Sequence, residues 1–176
     1  TIDYAQVQQE LSATQDVSFA TRKKLAGKVF NLTSAYDAAI SNFLLGEDEF
    51  PHYLNISYQK SADLRYGENP HQKAAFYTAT TQAGVLKDFV QLHGKELSFN
   101  NIRDMDLAWK VVAEFNEVAA CGVKHSTPCG VAIGANVADA YAKMHASDPV
   151  SIFGGIVAIN SEVDLATAKE MNNTFL

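Results

Sequence analysis

Val118-Ala119-Ala120-Cys121-Gly122-Val123-Lys124-His125-Ser126-Thr127-Pro128-Cys129-Gly130 is the stretch on which the architecture turns. A short run of apolar and small residues, closed by two basic groups and a proline, has the length and make-up of a strand buried on both faces. Helical spacing stands on either side of it, at 104–115 and again at 138–145, and further short apolar runs follow at 131–133 and 156–159. A last helix is predicted over 165–171. Strands alternating with helices predict an α/β domain in three layers, with one sheet between helices. Open α/β sheets bind ligands beyond the carboxyl ends of their strands, and that is where Lys124 and His125 fall.

Working outward, the segment before residue 104 changes character twice. Strand composition marks 53–60, 73–78 and 85–92. Ahead of those, the first 46 residues read as two helices. Asp3 is placed to cap a short one carrying Tyr4, Val7 and Leu11. Ser18 is placed to cap a longer one, in which Leu25, Val29, Leu32, Tyr36, Ile40, Phe43 and Leu44 recur at spacings of three and four before Gly46 stops it. That apolar stripe calls for a partner surface. Arg22-Lys23-Lys24 at its start reads as a solvated face or as an anion contact. Gly46-Glu47-Asp48-Glu49-Phe50-Pro51 combines a helix stop, an acidic run and a proline, so the chain divides into 1–48 and 49–176.

Composition narrows the function classes. The chain has 176 residues, 47% hydrophobic and 19% charged, enough for one ordinary core and unlike a disordered sequence. Its formal charge of −6 supplies no general positive field, which argues against a dedicated nucleic-acid binder and leaves room for a local anion pocket. No apolar run reaches the ~20 residues that span a bilayer, and no signal-peptide pattern opens the chain, so a cytoplasmic protein that does not enter membranes is expected. Two cysteines do not make a disulfide framework. A start at Thr1 and an apolar finish at Phe175-Leu176 lead us to expect a piece of something longer.

Four constellations bear on chemistry. Leu64-Arg65-Tyr66-Gly67-Glu68-Asn69-Pro70-His71-Gln72 gathers a guanidinium, a phenol, an amide and an imidazole in one loop. It suits a phosphate or carboxylate, or else it is a structural turn in which Asn69 and His71 satisfy local backbone groups. Asn101 stands just ahead of helical spacing, either as an N-cap or with its amide turned to a ligand. In Lys124-His125 the imidazole titrates near neutrality and can act as a base, while the lysine supplies fixed positive charge. The competing reading is a satisfied histidine beside a snorkelling lysine. Because successive strand residues face opposite ways, the pair converges only if the strand has ended by about Val123. Finally, Gly154-Gly155 within Ser151-Ile152-Phe153-Gly154-Gly155 permits close approach of a base or phosphate, or makes a tight turn.

Pro128-Cys129 invites a zinc reading, since zinc deaminases carry Pro-Cys-x-x-Cys. Position 132 is alanine and no His-x-Glu element accompanies it, so three protein ligands are lacking and no metal is expected. Cys129 itself has no neighbour that marks it as an activated nucleophile.

Taken together, the blocks Leu64–Gln72, Phe99-Asn100-Asn101 with Asp106 and Trp109, Val123–Gly130 and Ser151–Gly155 resemble one family, the bifunctional purine biosynthesis proteins that combine AICAR transformylase and IMP cyclohydrolase. The helical opening, with Ala20-Thr21-Arg22-Lys23-Lys24-Leu25-Ala26 and Ala35-Tyr36-Asp37-Ala38-Ala39-Ile40, is similar to the end of the family's cyclohydrolase domain and its passage into the transformylase. The resemblance implies a cytidine-deaminase-like three-layer unit, the first of two in the transformylase, preceded by a helical segment. It implies formyl transfer from 10-formyltetrahydrofolate, as co-substrate, to the 5-amino group of AICAR, with closure to IMP in the other domain. His125 then corresponds to the base and Lys124 to the group that stabilises the oxyanion. Arg65 and Tyr66 match nucleotide-binding positions, Asn101 an amide near the reacting centre, and Gly154 a backbone position at the nucleotide. Family members work as homodimers whose site draws on a second subunit. With the cyclohydrolase site before Thr1 and further nucleotide and folate contacts beyond Leu176, this piece alone is expected to be inactive. A nucleotide-binding or dimerisation module without turnover is the second reading, and a metal-dependent deaminase the third.

Overall fold

The computed structural model describes residues 2–46, 48–80, 84, 86 and 88–176. It resolves into two compact units, one comprising Thr1–Gln59 with Ala79–Gln82 and the other Lys60–Thr78 with Ala83–Leu176.

In the first unit, helix α1 spans Tyr4–Thr14 and helix α2 spans Phe19–Leu44. Ser18 caps α2 as its sequence position predicts, its hydroxyl accepting from Thr21 N at 3.2 Å. Asp3 occupies the cap position of α1 but makes no side-chain cap bond. Its carboxylate instead accepts from Lys28 Nζ at 2.6 Å, because a charge-assisted bond to an ammonium outweighs one to a neutral N–H. Glu10 ties the two helices, accepting from the Thr21 hydroxyl at 2.5 Å and from Ser18 N at 2.8 Å, and these bonds hold its carboxyl below the usual range. Arg22 lies 3.2 Å from Asp16, which favours the solvated-face reading of the basic cluster. The helix stops at Leu44 with Leu45, at φ −101°, as its C-cap. Along the α2 stripe, Leu25 is half-buried, whereas Leu32 and Phe43 stand 72% and 85% exposed.

The strands form two sheets, one of two strands and one of three, the latter wholly within the second unit. Strand β1 spans Tyr58–Leu64 and pairs with β2 at Ala74–Ala79. The strand expected at 53–60 thus lies several residues further on, starting at Tyr58, although Ser57 O still accepts from Thr80 N at 3.2 Å. Of the strand expected at 85–92, Val85 and Lys87 lie outside the described residues, and 88–92 form none. There Phe89 packs edge-on against Phe76 with ring centroids 6.3 Å apart, and the Gln91 amide donates to His93 O and Lys95 O. Phe89 alone docks, while Val90 and Leu92 stand 76% and 91% exposed, so the strand composition finds no ladder to join.

Helix α3 runs Phe99–Ala113, five residues earlier than its apolar spacing indicates. The extra turn comes from a capping box: Ser98 Oγ accepts from Asn101 N, and Asn101 Oδ1 accepts from Ser98 N at 3.0 Å. Ser98 is fully buried, so Ser98→Ala is expected to lower stability by about 1–2 kcal/mol, read as a lower urea midpoint at unchanged slope.

Strand β3, Val118–Lys124, is central, with β4 at Thr127–Gly134 on one side and β5 at Ile156–Ile159 on the other, both antiparallel to it. Alternation then builds two cores. Ala119, Cys121 and Val123 face Ala108 and Val112 of α3, whereas Ala120 faces Ala140, Tyr141 and Met144 of helix α4, Val137–Ser147. Helix α5, Leu165–Met171, adds Met171 to the second core. The fold is thus mixed α and β, with α3 packed on one face of a small antiparallel sheet and α4 and α5 on the other. Gly130 and Gly134 let β4 lie against the backbone of α4, where a Cβ would fall 2.9 Å from Ser147 Cβ and 2.8 Å from Ala140 Cα respectively.

Candidate active site

Strand β3 does not end at Val123. It pairs through Lys124↔Thr127, and His125 and Ser126 form a two-residue hairpin tip. Both tip residues are left-handed, at φ 53° and 59°, the signature of a type I′ turn. The condition set by the sequence, a strand ended by about Val123, is not met, yet Lys124 and His125 both line one cleft, His125 from the left-handed tip. A register shift between Gly122 and Val123 leaves Cys129 without a partner across the ladder, and Pro128, which has no N–H to donate, sits at that bulge.

The cleft, about 510 Å³, is lined by Lys124, His125, Thr127, Pro128, Cys129, Asp148 and Ser151. The Lys124 ammonium donates to Phe153 O at 2.6 Å, and a Cβ on Gly154 would lie 4.0 Å from Lys124 Nζ. Lysine has three N–H donors, so two remain for a ligand. The His125 ring is exposed and makes no hydrogen bond to a described residue. Hydrogen bonding from Ser151, side chain first and then backbone, holds the Asp148 carboxyl below its usual range. Desolvation, followed by the Asp148 charge, pushes the Cys129 thiol up, the opposite of what activates a thiol as a nucleophile. Burial drives Cys121 to about 11.

Arg65 and Tyr66 do not line this cleft. Their loop begins where β1 ends, with Arg65 N donating to Leu97 O at 2.9 Å and Tyr66 O accepting from Phe99 N at 3.1 Å. The guanidinium lies over the Tyr66 ring, 4.8 Å from its centroid, and is exposed. Gly67 N donates to Gln72 O, and the Gln72 side chain accepts from Asn69 N at 2.8 Å. Gln72, not Asn69 or His71, satisfies the loop's backbone through its side chain, which leaves the polar side chains of Asn69 and His71 outward.

Both segments converge on one turn of α3. Asn100 Nδ2 donates to Glu68 O at 3.0 Å, and Asp104, four residues on, accepts from His125 N at 3.1 Å and Ser126 N at 2.9 Å. Residues four apart share a helix face, separated by about 6 Å along the axis. Asn101 is neither the N-cap nor free at both ends of its amide: its oxygen closes the capping box, and its Nδ2 has no acceptor among the described residues. Gly154, at φ 72°, donates its N–H to Phe175 O at 2.7 Å, so the tight-turn reading describes it as found. Asp104 and Asp148 were not singled out by the sequence. Asp104 holds backbone groups more than twenty residues away, which leaves no local spacing to detect, whereas Asp148-Pro149 just after a helical run was a turn signal open to use.

Among the described residues no group of three or more His, Cys, Asp or Glu is placed to hold a metal ion. No helix among them is long and apolar enough to cross a membrane.

The family model described as AICARFT/IMPCHase bienzyme matches residues 1–176. The bifunctional purine biosynthesis protein PurH of Fusobacterium nucleatum is 67% identical over 174 residues, covering 99% of this chain and 34% of that protein. PurH of Clostridium botulinum strain Hall is 61% identical over 176 residues, all of this chain and 35% of that protein, and PurH of Clostridium perfringens strain SM101 is 61% identical over 175. The chain spans about a third of the length of these relatives. On the strength of a match that runs from its first residue to its last, this chain belongs to the AICARFT/IMPCHase bienzyme family.

Proposed function

We propose that the full-length protein containing this chain transfers a formyl group from 10-formyltetrahydrofolate to the 5-amino group of AICAR and closes the product to IMP elsewhere in its sequence. The observation that carries this reading is the shared turn of α3, which anchors the Arg65–Tyr66 loop through Asn100 and the Lys124–His125 hairpin through Asp104. An anion-binding loop and a base-plus-cation tip are thereby tied to one rigid element. The relatives' names favour an enzyme over an inert binding module.

Within this reading, each residue answers a need of the chemistry. The amine of AICAR, conjugated to its ring, is a weak nucleophile. His125 takes the proton the amine loses as its nitrogen bonds to the formyl carbon, and the imidazolium returns that proton to the departing amine of the folate. Lys124 places its ammonium against the negative charge that develops on the formyl oxygen. Arg65 and Tyr66 hold the nucleotide, the guanidinium meeting its phosphate. Asn101, with an uncommitted Nδ2, offers a donor near the reacting centre, and Gly154 lies against the nucleotide once its N–H leaves Phe175 O. The fold corresponds to a cytidine-deaminase-like unit, and residues 1–48 and 49–176 to the end of the cyclohydrolase and the first part of the transformylase. The enzyme works as a cytoplasmic homodimer.

The reading is tested by giving the purified full-length protein AICAR and 10-formyltetrahydrofolate and following formylated nucleotide and then IMP. Absence of both products would sink it. Arg65→Ala is expected to raise the AICAR dissociation constant about 10- to 100-fold by calorimetry, the loss of one charge-assisted contact. An unchanged constant removes Arg65 from the nucleotide site.

A further inference from the structure

We infer that Asp104 is a positioning residue for the candidate base, fixing the backbone of the turn from which His125 enters the cleft. The inference rests on the formyl-transfer reading above. Two-residue hairpin tips with both residues left-handed favour Asn-Gly or Gly-Gly, because a Cβ crowds the backbone in that region. Here the tip is His125-Ser126, at φ 53° and 59°, and neither residue is glycine. Something outside the hairpin must hold it.

Asp104 does so with both carboxylate oxygens. Oδ2 accepts from His125 N at 3.1 Å, and Oδ1 accepts from Ser126 N at 2.9 Å and from Ser126 Oγ at 3.3 Å. The carboxylate is itself fixed, since α3 is seated on β3 through Ala108 and Val112, both fully buried. The His125 ring has no side-chain partner among the described residues, so its direction is inherited from its backbone. A residue in an uncommon conformation persists only when its surroundings over-determine it, and such residues gather at functional sites. Without Asp104, only the flanking Lys124↔Thr127 pairing opposes the residues' own preference for a right-handed form, and relaxation of the tip would swing the ring away from Lys124.

The test uses the full-length protein and three variants: Asp104→Asn, Ser126→Gly and their combination. Asparagine keeps the shape but leaves one acceptor oxygen and turns an N–H toward a backbone N–H. Asp104→Asn is expected to lower kcat for formyl transfer at least tenfold, with the AICAR dissociation constant and the IMP cyclohydrolase rate each within twofold of the parent. Ser126→Gly alone should stay within twofold in all three measurements. In the double variant, glycine takes the left-handed conformation at position 126 without strain, leaving only His125 to be held, and kcat should recover to at least half the parent value. A kcat within twofold for Asp104→Asn overturns the inference. So does a loss that glycine does not rescue, or one matched by an equal loss of AICAR affinity. Should Asp104→Asn alone be insoluble, the double variant decides: near-parent kcat supports the role, and a lost kcat overturns it. His125→Ala, run alongside, separates the two levels, because retained formyl transfer there removes the formyl-transfer reading itself, whereas an inert Asp104 removes only its positioning role.

Discussion

Full-length protein carrying His125→Ala is expected to lose formyl transfer by about 10²–10⁴-fold, the usual worth of a positioned acid–base group, while its IMP cyclohydrolase rate stays at the parent level. The ring makes no hydrogen bond to a described residue and lies at an exposed hairpin tip, so alanine removes a proton acceptor without opening a hole in the core. Lys124→Ala should cost about 10²–10³-fold, as the loss of one group facing an oxyanion does. Its ammonium also bonds Phe153 O, so a modest fall in stability accompanies the loss. Rates of formyl transfer near the parent value for His125→Ala would remove the base from this position.

Gly130→Ala is expected to destabilise the second unit by about 3 kcal/mol or more, at the upper end of what overpacking costs, and to reduce soluble yield. The added Cβ would press on the Met144 carbonyl, a backbone atom in α4 that no rotamer change can move, and on Ser147 Cβ. Gly134→Ala should act alike through the Ala140 backbone. Gly27→Ala is the contrast: nothing lies within 4 Å of a Cβ there, mid-helix in α2, and alanine should stabilise by about 0.5–1 kcal/mol. Urea unfolding followed by the fluorescence of Trp109 on α3, the chain's single tryptophan, reads the β4 variants, and far-UV circular dichroism reads Gly27→Ala. An unchanged midpoint for Gly130→Ala would contradict the close seating of β4 on α4.

Where apolar spacing dominates, the sequence is sufficient: 118–123, 156–159 and the helices near 138–145 and 165–171 are found close to where they are read. Ser18 caps α2 because a hydroxyl ahead of a helical run has one obvious use. Elements fixed by a partner were harder to place. Strand β1 is displaced because its extent depends on β2, and 85–92 has strand composition without a ladder to join. The start of α3 was legible in principle, since Ser98-x-x-Asn101 has capping-box spacing with asparagine in the acceptor position. At the site, the residue types of the hairpin were legible and its geometry was not. A left-handed His-Ser tip breaks the local preference of both residues, and the carboxylate that sustains it comes from another element. Such conflicts between local preference and native form concentrate at functional positions.

The bonds that define the hairpin tip reach back only 21 and 22 residues, from His125 and Ser126 to Asp104, and those that dock the Arg65 loop span 32 or 33. Closing a loop costs entropy that grows slowly with its length, and contacts near in sequence form early. The helix, its strand and the tip beyond them therefore constitute a short-range folding event. During synthesis, that corner can assemble as soon as α3, β3 and β4 have left the ribosome.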